Sequence, residues 1–102
     1  MEYILVLQWP GSSSDDYDEL IGMESELERS LSKIASVDGH DFGSGEMNIY
    51  VDTNRPSRAF DEVAAILDCW PRWAEVRAAY RTATGEDYTV LRPLGQTGFR
   101  VE

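Results

Sequence analysis

Asp38-Gly39-His40-Asp41-Phe42-Gly43-Ser44-Gly45-Glu46-Met47-Asn48-Ile49-Tyr50-Val51-Asp52 is the stretch that decides the fold of this chain. In its second half Met47, Ile49 and Val51 alternate with Asn48, Tyr50 and Asp52, the period of a strand with one apolar and one polar face. Gly43-Ser44-Gly45 reads as a turn, so residues 46–53 and 35–41 become two arms of one hairpin. A hairpin at mid-chain sets antiparallel neighbours and points to an α+β domain rather than a parallel sheet.

Upstream, residues 2–9 read as a strand. Tyr3, Leu5 and Leu7 fall on one face and Ile4 and Val6 on the other. Apolar residues on both faces mark a strand central to its sheet. Trp9-Pro10-Gly11 ends it, and Ser12-Ser13-Ser14 offers N-caps ahead of Asp15, Asp16, Asp18 and Glu19, which suit the positive end of a helix dipole. Tyr17, Leu20, Ile21, Leu27, Leu31 and Ile34 recur at helical spacing and predict a helix over about 15–34. Its outer side would carry Glu24, Glu26, Glu28 and Arg29, and Gly22 would mark close packing on the sheet.

Downstream, Pro56 suits a first helical turn, and Phe60, Val63, Ala64 and Leu67 give a buried stripe, predicting a helix over about 56–68. Residues 73–81 fit either helix or strand; the hairpin turn signal Thr84-Gly85-Glu86-Asp87 that follows favours strand, with 88–91 as its partner. Residues 94–102 carry no clear structural signal. The expected fold is therefore a ferredoxin-like β-α-β-β-α-β sandwich with an extra C-terminal strand and helices on one face of an antiparallel sheet. Such a frame leaves the second sheet face open beneath an apolar strand. Either the C-terminal hairpin and tail or a second copy, as a homodimer, must cover it.

At 102 residues, with 42% hydrophobic and 27% charged, the chain holds one core and is not disordered by composition. The apolar opening run is too short to span a bilayer and lacks the flanks of a signal peptide. With Cys69 as the single cysteine, no internal disulfide can form, and a cytoplasmic setting is expected. The net charge is −10, and all of the excess lies in residues 1–53, where twelve acids face only Arg29 and Lys33. Such a surface repels phosphate backbones, so the expected partner is a basic protein rather than nucleic acid or a membrane. Asp15, Asp16, Asp18 and Glu19 would form that surface, with Trp9 and Trp70 as aromatic anchors.

The other candidate site lies in the hairpin, where Asp38, His40, Asp41, Glu46, Asn48 and Tyr50 collect polar side chains. Asp38 and His40 would share a strand face and Glu46 return across the turn, a weak mixed-ligand set for zinc or manganese. No recognised ligand spacing accompanies it. The competing reading is structural: glycines shape the turn and the polar groups satisfy backbone amides. With one histidine and one cysteine, and Ser44 in a turn rather than a nucleophile elbow, no catalytic residue and no cofactor is assigned.

The run Asp38-Gly39-His40-Asp41 with Gly43-Ser44-Gly45-Glu46-Met47-Asn48-Ile49-Tyr50, the helix start over 52–60, and Gly85-Glu86-Asp87-Tyr88-Thr89-Val90-Leu91 resemble a family of small uncharacterised bacterial proteins. The resemblance implies a compact α+β domain and carries no activity, ligand or catalytic residue with it. In size and acidity the chain is also similar to bacterial toxin-immunity proteins, which block basic toxins. The expectation is thus an acidic protein-binding module, an inhibitor or immunity protein; the alternative is a small ligand- or metal-binding protein, or an enzyme, with its site at 38–52.

Overall fold

The computed structural model describes residues 2–93, Phe99 and Val101. The elements run β1 (Tyr3–Pro10), α1 (Ser14–Ser30), β2 (Ala35–Gly43), β3 (Glu46–Thr53), α2 (Pro56–Leu67), a 3-10 turn (Pro71–Glu75), β4 (Arg77–Thr82) and β5 (Thr89–Arg92). The strands form one five-stranded sheet in the order β2-β3-β1-β4-β5, with every neighbouring pair antiparallel. The expected α+β class is therefore observed.

β1 is the central strand. Its register pairs Leu5 with Val51 and Tyr80, and Leu7 with Ile49 and Ala78. Leu5, Leu7 and Trp9 join Met47, Ile49 and Val51 of β3, Leu20, Met23 and Leu27 of α1, and Ala59, Val63 and Leu67 of α2 in one core. Each large side chain taken out of water there contributes about 1.5–3 kcal/mol. We call this the core face. On the second face Val6 and Ala79 are also fully buried. Both are covered within the single chain. The rings of Tyr88 and Phe99 stand 5.0 Å apart, and the guanidinium of Arg77 lies 5.5 Å from the Phe99 ring.

α1 begins as expected. Ser13 Oγ accepts from the Asp16 N–H at 3.1 Å, and Asp16 Oδ2 accepts from the N–H groups of Ser13 and Ser12 at 3.0 and 2.9 Å. This reciprocal capping box satisfies amides that the first turn leaves without partners. The helix ends at Ser30, short of the expected residue 34. Leu31 is extended, and Ser32 is held to the Glu62 carboxylate of α2 through both its N–H and, at 2.9 Å, its hydroxyl. Two further expectations are corrected. Glu24 is 9% exposed instead of lying on the outer side, because His40 binds it from β2. Gly22 packs against a side chain rather than the sheet, since a Cβ there would stand 2.8 Å from Trp70 Cη2.

The hairpin forms around Ser44 and Gly45, whose φ angles of +57° and +79° make the two-residue turn that matches strand twist. The expected strand over 73–81 is half right. Its first part is the 3-10 turn, begun at Pro71 and placing the Trp73 ring 5.8 Å from Phe60; the strand starts only at Arg77. The extra C-terminal strand is present at Thr89–Arg92. The expectation for residues 94–102 falls, apart from Phe99 and Val101, outside the described residues.

Gly22→Ala should lower stability by about 1 kcal/mol, because the added methyl meets the Trp70 ring. In a Trp70→Ala background the same change should raise stability by about 1 kcal/mol through helix propensity. Urea unfolding midpoints of the four chains check this reversal of sign.

Candidate functional site

The hairpin divides its candidate residues between two faces. β2 and β3 pair in register up to Val37 opposite Val51, then shift, so that Gly39 lies opposite Tyr50 and His40 opposite Ile49. Asp38 is the extra residue of this bulge, and it is exposed. The shift puts Val37, His40 and Phe42 on the core face, beside Val51, Ile49 and Met47. Asp41, Glu46, Asn48 and Tyr50 belong to the second face. The expected sharing of one face by Asp38 and His40 is thus corrected by the bulge, and Glu46 lies across the sheet from His40. Among the described residues no group of three or more histidine, cysteine or acidic side chains is arranged to hold a metal ion.

His40 instead closes on α1. Its Nδ1 lies 3.0 Å from both Oε1 and Oε2 of Glu24, with the two side chains 31% and 12% exposed. A carboxylate only accepts, so the Nδ1 proton is directed at Glu24. Tyr17, one heptad before Glu24 on the helix, sets its ring edge-on against Phe42 (5.3 Å, 85°) and His40 (6.0 Å, 71°). Tyr17 is 40% exposed, the large hydrophobic side chain left outside among the described residues. Sequence reasoning counted it only among the residues recurring at helical spacing. Its position at the first turn, among Asp15, Asp16 and Asp18, was the signal that it would stay at the rim. Further along the same seam, Leu27 and Glu28 of α1, Leu31 just beyond its end, and Ala35, Ser36 and Val37 of β2 line an open cleft of about 310 Å³.

The acidic candidates separate into engaged and free side chains. Arg72 donates from Nε to Glu19 at 2.5 Å, from Nη2 to Asp16, and from Nη1 to the Pro10 carbonyl at 3.2 Å. The amides of Ser13 and Ser12, then the Ser13 hydroxyl and Arg72, hold the Asp16 carboxyl well below the usual carboxylate range. Asp15, Asp18 and Glu28 are exposed, whereas Glu26 is paired with Arg29. Of the two aromatic anchors, Trp9 is corrected. Trp9 is fully buried, its indole N–H donating to the Arg72 carbonyl at 2.9 Å, and Trp70 is half-buried over Gly22.

Across the second face, Asp41, Asn48, Gln8 and Arg77 fall in one register row. In its middle, Gln8 Nε2–H donates to Asn48 Oδ1 at 3.1 Å, and the two residues are 2% and 1% exposed. Buried amides joined in this way satisfy one another and specify register. The next row carries Tyr50, Val6, Ala79 and Val90. Burial pushes the Tyr50 hydroxyl pKa up, Asp41, Tyr88 and Glu46 push it further, and Arg81 opposes them. Ser44 stands exposed at the turn, with the only histidine committed to Glu24. These groups build a satisfied sheet face and supply no activated nucleophile.

No family model matches the chain, and neither a curated protein nor a solved structure is significantly similar to it.

The Asp16 carboxyl titrates lower in the folded chain than in the unfolded one. Its contribution to stability is therefore present above the unfolded pKa of about 3.9 and fades as pH falls below it. Urea midpoints measured at neutral pH and near pH 3 should drop more in the wild type than in Asp16→Asn. His40→Ala leaves the buried Glu24 carboxylate without its imidazole partner and should cost about 1–3 kcal/mol. A Glu24→Gln, His40→Ala double variant should lose less than the two single changes added together, as a double-mutant cycle by thermal melting will show.

Proposed function

We propose that this chain is a non-catalytic module that binds a basic protein partner along the acidic side of α1. The observation that carries this reading is the distribution of free acids. Arg72 and Arg29 engage Asp16, Glu19 and Glu26, yet Asp15, Asp18 and Glu28 remain exposed along the helix, and the whole chain carries −10. A field of one sign speeds encounter with a partner of opposite charge and rejects others. Tyr17 supplies the aromatic contact that interfaces favour, in the place where Trp9 and Trp70 were expected. The middle of the second face is already buried, which favours the α1 side over that face and over a homodimer as the contact.

In this reading the frame is a split β-α-β, ferredoxin-like sandwich with its helices on one face. The strand order β2-β3-β1-β4-β5 and the core shared by both helices support it. A cytoplasmic inhibitor or immunity protein is the role that fits such a surface. Among the described residues no helix is long and apolar enough to cross a membrane.

Affinity capture from the native lysate at low and high salt provides the test. Capture of a basic protein, weakened by salt and about tenfold by the Asp15→Lys, Asp18→Lys double variant, is the expected result. Capture indifferent to both, or no captured partner, counts against the proposal.

A further inference from the structure

β2 is the terminal strand of the sheet and pairs, among the described residues, with β3 alone. Its outer edge therefore presents backbone N–H and C=O groups along a strand of nine residues. Beside that edge runs the seam with α1. Tyr17 and Phe42 stack at one end, Leu31 and Val37 are half-buried at the other, and the exposed acids Glu28 and Asp38 flank it. Apolar side chains at either end of a seam beside an open strand edge are an arrangement that an added strand fills, with main-chain bonds giving affinity and side-chain sites giving selectivity.

The charges choose the occupant. In an antiparallel pairing of two copies, the register that sets Asp38 opposite the other copy's Asp41 would put acid against acid twice, and like charges across a strand pair are unfavourable. The same acids attract arginine or lysine. Arg29, the nearest base on the helix, is already paired with Glu26. Pairing with β3 is regular on both sides of the bulge at Asp38, over residues 35–37 and 39–43, and Asp41 lies exposed in the longer run. The edge is thus closed to an acidic strand and open to a basic one.

We infer that the groove between α1 and the outer edge of β2 takes an extended, arginine- or lysine-bearing segment of a protein partner, which adds to the sheet as a strand beside β2. This rests on the protein-binding reading and names its site. The partner's apolar side chains meet Tyr17 and Phe42 at one end and Leu31 and Val37 at the other, and its basic side chains meet Glu28 and Asp38.

The full chain, labelled with nitrogen-15, is titrated with an alternating arginine–valine peptide and with the same peptide carrying glutamate for arginine. The expected result is binding of the first only, with amide shifts concentrated at residues 36–43 and movement of the Tyr17 ring signals. Tyr17→Ala and Glu28→Lys should each weaken it about tenfold, while Asp61→Lys, the same charge change at an exposed position of α2, should change it less than about twofold. Glu28→Lys alters an exposed side chain, so it tests the groove even where Tyr17→Ala perturbs folding. Shifts centred elsewhere, equal loss with Asp61→Lys, or no binding of the arginine peptide overturn the inference. Partner capture that survives the groove variants but fails with Asp15→Lys, Asp18→Lys removes the groove and leaves the protein-binding reading standing; absence of any captured partner removes that reading.

Discussion

β1 is hydrogen-bonded along both edges and buried on both faces, and the rest of the molecule is arranged to make that so. Leu5, Val6 and Leu7 are fully buried in succession, which an alternating half-exposed strand cannot achieve. Backbone groups at that depth must be paired, so β3 and β4 flank the strand on either side. Leu5 and Leu7 pack in one core with side chains of α1 and α2, while Arg77 of β4 lies over the Phe99 ring, which meets Tyr88.

Around this strand a few polar contacts fix the seams between elements. Arg72 joins the 3-10 turn to the end of β1 and to the first turns of α1, while its own carbonyl anchors Trp9. Thr53 Oγ1 donates to the Ile34 carbonyl at 2.7 Å and accepts from the Arg55 N–H at 3.0 Å, tying the entrance of β2 to that of α2. Glu62 holds the exit of α1 through Ser32, and Glu24 holds β2 through His40. Each contact uses an acid or hydroxyl for architecture. Other acids stay exposed, among them Asp15, Asp18 and Glu28 of α1 and Asp38 and Asp41 of β2.

Much of the fold was legible in local pattern. The double-faced apolar run of β1, the serine cap with acids behind it, the proline start of α2 and the Gly43-Ser44-Gly45 turn each name an element through chemistry within a few residues. Boundaries were less legible because they answer to distant partners. α1 stops at Ser30 because Glu62, far along the chain, takes Ser32. Residues 73–81 divide between a 3-10 turn and a strand because Trp73 must reach the core before β4 can join β1.

The candidate site shows the same division more sharply. Sequence by itself determined that the hairpin holds the only histidine among acids and glycines, that α1 is acidic, and that β1 is central. Those are properties of composition and period. It did not determine faces, because a strand's alternation survives only until a bulge, and a single extra residue at Asp38 turns His40 away from Glu46 and toward α1. Tertiary structure alone decided that Glu24 is buried and that Trp9 is core rather than contact. Burial depends on which distant element arrives to cover a side chain, and no periodicity within α1 or β2 encodes that arrival.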